Sequence, residues 1–139
     1  MKLLIVLIFF CSSVFGQVQD IEIQSEGVDL DAYFYEASGN ELKPTIIWMH
    51  GLPGQKVKGD LILAEELTKR DLNVLTFDYR GLWNNQGIFT VSNSQTDLNS
   101  VIDFAFNPDN VSKYSIDTTR IIVGIKFYFV CTGFLEFIY

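Results

Sequence analysis

Three short apolar runs, each bounded by turn residues, constrain most strongly how this chain can fold. They occupy residues 45–49, 72–77 and 120–124. Such runs are typical of strands that are buried on both faces of a sheet. Helical patterns lie between them, so the order predicts strand, helix, strand, helix, strand. Strands that alternate with helices in this way form a mostly parallel sheet with right-handed crossovers and helices on its faces.

The remaining elements are predicted from local patterns. Residues 18–24 and 30–36 flank a Glu26-Gly27 turn and predict an antiparallel hairpin ahead of the parallel strands. Asp60 can cap a helix that runs to about residue 70.

The second helix is the clearest in the sequence. Ser94 and Asp97 resemble a capping box at its start, and Asn107-Pro108 predicts its end. Its inward face follows the helical spacing through Leu98, Val101, Ile102 and Ala105.

Composition narrows the classes of function. With 139 residues, 48% of them hydrophobic and 19% charged, the chain suits one folded domain and not a disordered segment. Its formal net charge of -7 does not suit binding to nucleic acid or to an anionic membrane surface. One histidine and two cysteines exclude zinc-finger spacings and a disulfide-dense scaffold. No metal or organic cofactor is predicted.

The first sixteen residues have the pattern of a secretory signal peptide. Lys2 precedes an unbroken apolar run over residues 3–10, and mostly small residues follow up to Gly16. The run is too short for a membrane-spanning helix. We therefore expect cleavage after Gly16 and export, either to the periplasm or out of the cell.

Two loop motifs follow the first two apolar runs. In parallel sheets of this kind, functional groups lie at the carboxyl ends of the strands, which directs attention to the loops after Met49, Phe77 and Val123. The first motif is His50-Gly51-Leu52-Pro53-Gly54. The second is Asp78-Tyr79-Arg80-Gly81, which continues into a Gly-containing segment over residues 83–90.

Together, in this order and on these strands, the motifs resemble the α/β-hydrolase family, and in particular its exported serine hydrolases of the peptidase-like and esterase-like branch. The resemblance covers about residues 27–124. It implies the N-terminal half of an α/β-hydrolase fold, with an antiparallel hairpin leading into a mostly parallel sheet with flanking helices. Residues 17–124 would then be a partial α/β-hydrolase domain, and its substrate a small molecule or a peptide.

The resemblance also implies roles for particular residues. His50, Gly51 and Leu52 would form the oxyanion-hole loop, in which the backbone N–H of Leu52 donates to the oxyanion. Asp78, Arg80 and Gly81 would organise the second loop. None of these side chains is expected to be catalytic.

The sequence departs from the family pattern after Gly124. In the nucleophile turn G-x-S-x-G, Gly124 matches the first glycine, but Lys126 occupies the serine position and Tyr128 the closing glycine position. The acid and histidine of the family follow the nucleophile, whereas residues 125–139 hold one acid, Glu136, and no histidine. We therefore expect a serine hydrolase by resemblance, acting on ester or peptide bonds, that is truncated before its nucleophile elbow and inactive as this chain.

Two alternatives remain open. One is a noncatalytic exported binding or interaction module. The other is a small exported protein tethered to a membrane by the apolar aromatic tail, residues 125–139, although Lys126 and Glu136 oppose burial in a bilayer. Cys131 in this tail is interpreted as an inert small hydrophobe. An apolar strand over 121–123 at an open sheet edge predicts self-association or aggregation.

Overall fold

The computed structural model describes residues 18–51, 61–128 and 134–138, which build one mixed sheet with flanking helices. The strands of the described part lie in the order β1-β2-β4-β3-β5-β6. In chain order, the elements are β1 (Val18–Ser25), β2 (Val28–Tyr35), β3 (Lys43–His50), α1 (Leu61–Thr68), β4 (Asn73–Phe77), α2 (Val91–Phe106), α3 (Pro108–Lys113), β5 (Ile116–Tyr128) and β6 (Phe134–Ile138).

The predicted hairpin and the predicted parallel core are both confirmed. β1 and β2 pair antiparallel across a turn in which Glu26 and Gly27 have φ of 47° and 81°. Positive φ at both central residues matches the right-handed twist of the two strands. β3 lies parallel to β4 on one side and to β5 on the other. This places the ends of β3 and β4 at one edge of the sheet, which we call the carboxyl edge.

Helices cover both faces of the sheet. Successive side chains of a strand point to opposite faces, so each face packs against its own helix. On one face, Ile47 and Leu75 pack with Val101 of α2 in the larger core. On the other face, Trp48 and Val74 pack with Ala64 of α1. The two helices are thus held by alternate residues of the same two strands.

The helices differ from the sequence prediction in their ends. α1 lies within the predicted range, whereas Asp60, its predicted cap, is outside the described residues. The predicted capping box of α2 is wrong. Thr90 is the N-cap, with its hydroxyl accepting from the N–H of Asn93, so that Ser94 and Asp97 both lie inside the helix. α2 ends at Asn107 as predicted, but Pro108 then begins α3, which the sequence analysis missed.

The largest correction concerns the third apolar run. The expected strand over 120–124 is the middle of β5, which runs as one strand from Ile116 to Tyr128. There is therefore no loop after Val123, and β6 pairs antiparallel along residues 124–128 of β5. β6 therefore covers the outer edge of β5 over 124–128, whereas within the described residues no strand lies beside the expected open edge at 121–123. Ile121 and Val123 are partly buried against the larger core.

Several sequence predictions fall outside the described residues. These are the signal peptide over 1–16, the oxyanion residue Leu52 and the thiol of Cys131. In the part of the chain that the structure describes, no helix is both long enough and apolar enough to cross a membrane.

Candidate functional site

His50 and Asp78 meet at the carboxyl edge, as the order of the strands predicted. His50 is the last residue of β3, and Asp78 directly follows β4. Both side chains are buried, and His50 Nε2 lies 3.9 Å from Asp78 Oδ1. His50 Nδ1 lies 3.2 Å from the carbonyl oxygen of Gly51. Because a carbonyl can only accept, Nδ1 carries the proton of this contact, which ties the ring to the start of its own loop.

Arg80 is the centre of a buried polar network behind this edge. Its backbone N–H donates to Asp97 Oδ2 at 2.9 Å, and its Nε donates to Asp97 Oδ1 at 2.7 Å. Its Nη2 donates to the hydroxyl of Ser25 at 2.8 Å, and its Nη1 donates to the carboxylate of Glu26 at 3.5 Å. Ser25 in turn donates to Asp97 at 2.9 Å and accepts from Ser100 at 3.0 Å. One guanidinium therefore joins the β1–β2 turn, the loop after β4 and helix α2.

Asn85 fixes the loop after β4 from its other side. This buried side chain donates from Nδ2 to the carbonyl of Asp78, and its Oδ1 accepts from the N–H of Asp31 on β2 at 3.0 Å. In the sequence, Asn85 is only one position in the segment that continues after Gly81, so its role is recognised from its contacts alone. The role of Ser25 is likewise not predicted, because no sequence pattern pairs it with Asp97, which lies 72 positions away.

Gly81 allows the loop to close on itself. It has φ of 73°, and its N–H donates to the carbonyl of Gln86 at 3.0 Å. A Cβ at this position would lie 2.3 Å from the backbone nitrogen of Phe89. Any side chain at residue 81 would therefore force the two halves of the loop apart.

Tyr79 connects the two predicted loops through aromatic contacts. Its ring lies 4.8 Å from that of His50 and 5.7 Å from that of Phe89. Burial, and secondarily the charge of Asp97, raises the pKa of the Tyr79 phenol to about 12. Tyr79 is therefore neutral at physiological pH and serves as an apolar bridge across the carboxyl edge.

β5 passes the carboxyl edge without turning. Gly124 lies opposite Trp48 of β3, where a Cβ would come within 2.7 Å of the indole ring. Lys126 stands in the register opposite His50 on β3 and opposite Glu136 on β6. A nucleophile elbow is a sharp strand-to-helix turn, whereas the backbone at residues 124–128 is a continuous strand.

This edge brings together a buried imidazole–carboxylate pair, the start of a glycine loop and a buttressed second loop. Among residues 18–51, 61–128 and 134–138, no group of three or more His, Cys, Asp or Glu side chains could hold a metal ion. The arrangement can position backbone groups at the end of β3. The Arg80 network and Asn85 provide the rigidity that such positioning requires.

Comparisons with known proteins give the fold its context. The sequence matches no protein-family model and no curated protein. The structure is similar to a hyperthermophilic esterase from the archaeon Pyrobaculum calidifontis, with 22% identity over 78% of this chain and a TM-score of 0.65. It is also similar to Est1E from Butyrivibrio proteoclasticus, solved with ferulic acid, with 22% identity over 76% of this chain and a TM-score of 0.63.

A third similar structure is esterase Est22, with 17% identity over 81% of this chain and a TM-score of 0.68. The matched regions make up 34%, 41% and 36% of the three esterase chains, respectively. This chain thus spans between about a third and about two fifths of the length of those proteins. At these identities the likeness is one of fold.

Proposed function

We propose that this chain, which has the fold of the N-terminal part of the α/β-hydrolases, derives from an exported serine hydrolase of the esterase type and does not itself hydrolyse esters. The fold and the esterase neighbours support the hydrolase part of this proposal. The path of β5 is the observation that supports the proposed lack of esterase activity.

The position of Lys126 is the key observation. In the family pattern, the residue two positions after this glycine is the nucleophile at the top of a strained turn. Here Lys126 lies within a strand, paired in register on both sides. The single histidine, His50, lies at the end of β3 and contacts Asp78, so it belongs to the loop where the family places oxyanion donors. A nucleophile without a correctly placed base is weak.

We assign the oxyanion-hole role to the loop that begins with His50, Gly51 and Leu52. The Nδ1 contact to Gly51 supports this role, since it fixes the first residue of the loop. Asp78, Arg80 and Gly81 act as organisers of the adjacent loop. Substrates of the parent activity would be esters of small molecules.

The activity test uses a p-nitrophenyl ester and a fluorophosphonate probe on the exported chain, with a true esterase as positive control. We expect no turnover above background and no covalent labelling. The variant Lys126→Ser is the matched comparison. We expect it also to remain unlabelled, because the strand conformation and the missing base prevent catalysis, and not the type of residue 126 alone. Stoichiometric labelling of the original chain that is lost on prior heating would disprove the inactivity.

We further propose that the chain is exported, on the pattern of residues 1–16. Expression in a secreting host, followed by N-terminal sequencing, is expected to yield a product that begins at Gln17. Retention of Met1 in the cytoplasmic fraction would refute export.

The alternative of a noncatalytic binding module gains support from one observation. β6 pairs with residues 124–128 of β5, so the strand that stands in place of the nucleophile elbow is part of the sheet. A well-folded sheet with a buttressed carboxyl edge can present a ligand-binding surface without chemistry. A single cooperative thermal transition of the exported chain would favour this alternative.

A further inference from the structure

One short motif of the sequence lies away from the carboxyl edge. Asn110-Val111-Ser112 is an Asn-X-Ser triplet, the acceptor pattern for an N-linked glycan, and no second Asn-X-Ser or Asn-X-Thr triplet occurs in the sequence. It lies on α3, which leads into β5. β5 begins beside Lys43, the first residue of β3, so α3 leads to the edge of the sheet opposite the carboxyl edge. Short triplets recur by chance, and the surroundings of Asn110 decide whether this one can be used.

The amide of Asn110 retains a hydrogen that can be replaced. The side chain is half-buried, and its Nδ2 donates to the carbonyl of Phe104 at 2.9 Å. An amide nitrogen carries two hydrogens, and this hydrogen bond uses one of them. A sugar that is attached in place of the second hydrogen leaves the donor to Phe104 intact. The folded chain can therefore keep this contact when Asn110 is modified.

The folded helix does not present the triplet to a modifying enzyme. An enzyme that recognises Asn-X-Ser contacts the amide and the hydroxyl together. On an α-helix, residues two positions apart do not face each other. Ser112 is accordingly exposed, whereas Asn110 is half-buried and bonded to Phe104. The two side chains can therefore be recognised together only while this segment is not helical.

α3 depends on the core for its helical form. It has six residues, and isolated helices shorter than about 12–15 residues are marginal in water. Val111 packs against the larger core, and Tyr114, which follows the helix, is buried in that core. The N–H of Tyr114 donates to the carbonyl of Asn110 at 2.9 Å and closes the last turn. The triplet therefore stays accessible until these two side chains are buried.

We propose that Asn110 is an N-glycosylation site of this chain that is open only until α3 docks on the core. The site requires the proposed export, and not the hydrolase origin, because this modification belongs to the secretory pathway. In the transfer, a bond forms between Nδ2 of Asn110 and C1 of the sugar. The bond between C1 and the diphosphate of a lipid-linked oligosaccharide breaks, and the lipid diphosphate leaves. Nδ2 gives up one proton to a base of the enzyme and keeps its other hydrogen.

The first test expresses the full chain, including residues 1–16, in a secreting eukaryotic host. Intact mass and N-terminal sequence are measured on the exported product, before and after treatment with a peptide N-glycosidase. We expect a product that begins at Gln17, of which a fraction carries one glycan that the enzyme removes. Because the chain has one triplet, a single mass increment reports on Asn110 alone.

The matched variants are Ser112→Ala and Ser112→Thr. Ser112→Ala destroys the triplet but keeps the side chain of Asn110 and its hydrogen bond to Phe104. Residue 112 is exposed, so neither change disturbs the core. We expect complete loss of the glycan in Ser112→Ala and its retention in Ser112→Thr, which preserves the triplet.

A second test separates the folded acceptor from the unfolded one. The chain is exported from a bacterial host without the modification, purified in its folded state, and incubated with oligosaccharyl transferase and the lipid-linked donor. We expect no transfer, because α3 is already formed. Asp97→Asn lies outside the triplet and removes the countercharge of buried Arg80, so it raises the unfolded population. In the eukaryotic host, we expect the glycan on a larger fraction of this variant than of the original chain.

The other outcomes would overturn the proposal. A product that begins at Gln17 and carries no glycan would reject the site but leave export and the hydrolase origin intact. A glycan that persists in Ser112→Ala would place the modification on another residue. Transfer to the purified folded chain, or an unchanged modified fraction in Asp97→Asn, would contradict the closure by α3. Retention of Met1 in the cytoplasmic fraction would refute export and this site with it.

Discussion

At the scale of single residues, the structure depends on buried polar side chains. Asp97 has no exposed side-chain surface and accepts from Arg80 and Ser25, while Asn73 binds the N–H of Ala37 and the carbonyl of Tyr114. Such groups are tolerated in a core only when their partners are present. The loops at both ends of the sheet are therefore held by side chains that the hydrophobic pattern does not reveal.

The variant Asp97→Asn is expected to destabilise the protein strongly. It leaves the buried Arg80 guanidinium without its main countercharge, and breaking such a pair typically costs about 3–5 kcal/mol of unfolding free energy. Urea denaturation measures the change. Asp103→Asn, an exposed position on the same helix, serves as control and is expected to change stability by no more than about 0.5 kcal/mol. Equal effects of the two variants would contradict the role given to the network.

The environment of Asp117 leads to a separate prediction about how the stability of the protein depends on pH. Hydrogen bonds from Thr119 and then from Arg120 lower the pKa of its carboxyl to about 2 from 3.8. A depressed folded-state pKa stabilises the protein above the unfolded value, and that stabilisation is lost as the pH falls through about 2. We therefore expect Asp117→Asn to be less stable than the original chain at pH 7 and equally stable below about pH 2. A difference that persists unchanged at the lowest pH would show that the carboxylate charge is not involved.

At the scale of elements, the structure relocates the start of α2. Thr90→Ala removes the side chain that accepts from Asn93, and the loss of an N-cap costs about 1 kcal/mol of unfolding free energy. Ser94→Ala is the natural comparison, because Ser94 is the residue that the sequence pattern selected as the cap. We expect a change within about 0.5 kcal/mol there, as measured by thermal or urea unfolding. A larger loss at Ser94 than at Thr90 would restore the original assignment.

The mistake at Ser94 shows where sequence patterns stop being informative. A small hydroxyl residue followed three positions later by an acid has the form of a capping box, but Asp97 is used by Arg80 instead. The tertiary contact with Arg80 thus determines the role of Asp97, although local sequence rules assign this residue to a helix cap. α3 was missed for a related reason, since Pro108 was read as a helix stop although proline also suits the first turn of a new helix.

The strands were better predicted, because burial on two faces leaves a strong apolar pattern. β3 and β4 follow that pattern closely, whereas β1 of the hairpin is exposed at alternate positions and was predicted from partial alternation. β5 extends beyond it at both ends, through polar residues at its start and through Lys126 near its finish. The motifs at His50 and Asp78 were found because they follow those strands, whereas Ser25 and Asn85 are recognised only from their contacts.

At the scale of the whole molecule, association remains the main prediction. β6 covers β5 only along residues 124–128, so within the described ranges no strand lies on the outer side of residues 116–123. The net charge of -7 opposes contact between copies. We expect residues 17–139 to self-associate on size-exclusion chromatography, and more strongly as added salt screens this repulsion. A monodisperse monomer at both low and high salt would refute the prediction and favour the binding module.

The central place of β3 has a consequence for how the chain acquires its structure. One side of β3 pairs with residues from Asn73 onward, but its other side pairs with residues from Ile116 onward, which are synthesised later. During synthesis, the hairpin, β3 and β4 are available well before β5 leaves the ribosome. Contacts between such distant residues form slowly, and an unpaired strand in a partly folded chain promotes misassembly. The interval before β5 docks is therefore when a chaperone would contribute most, and the newly made β3 is the segment it would protect.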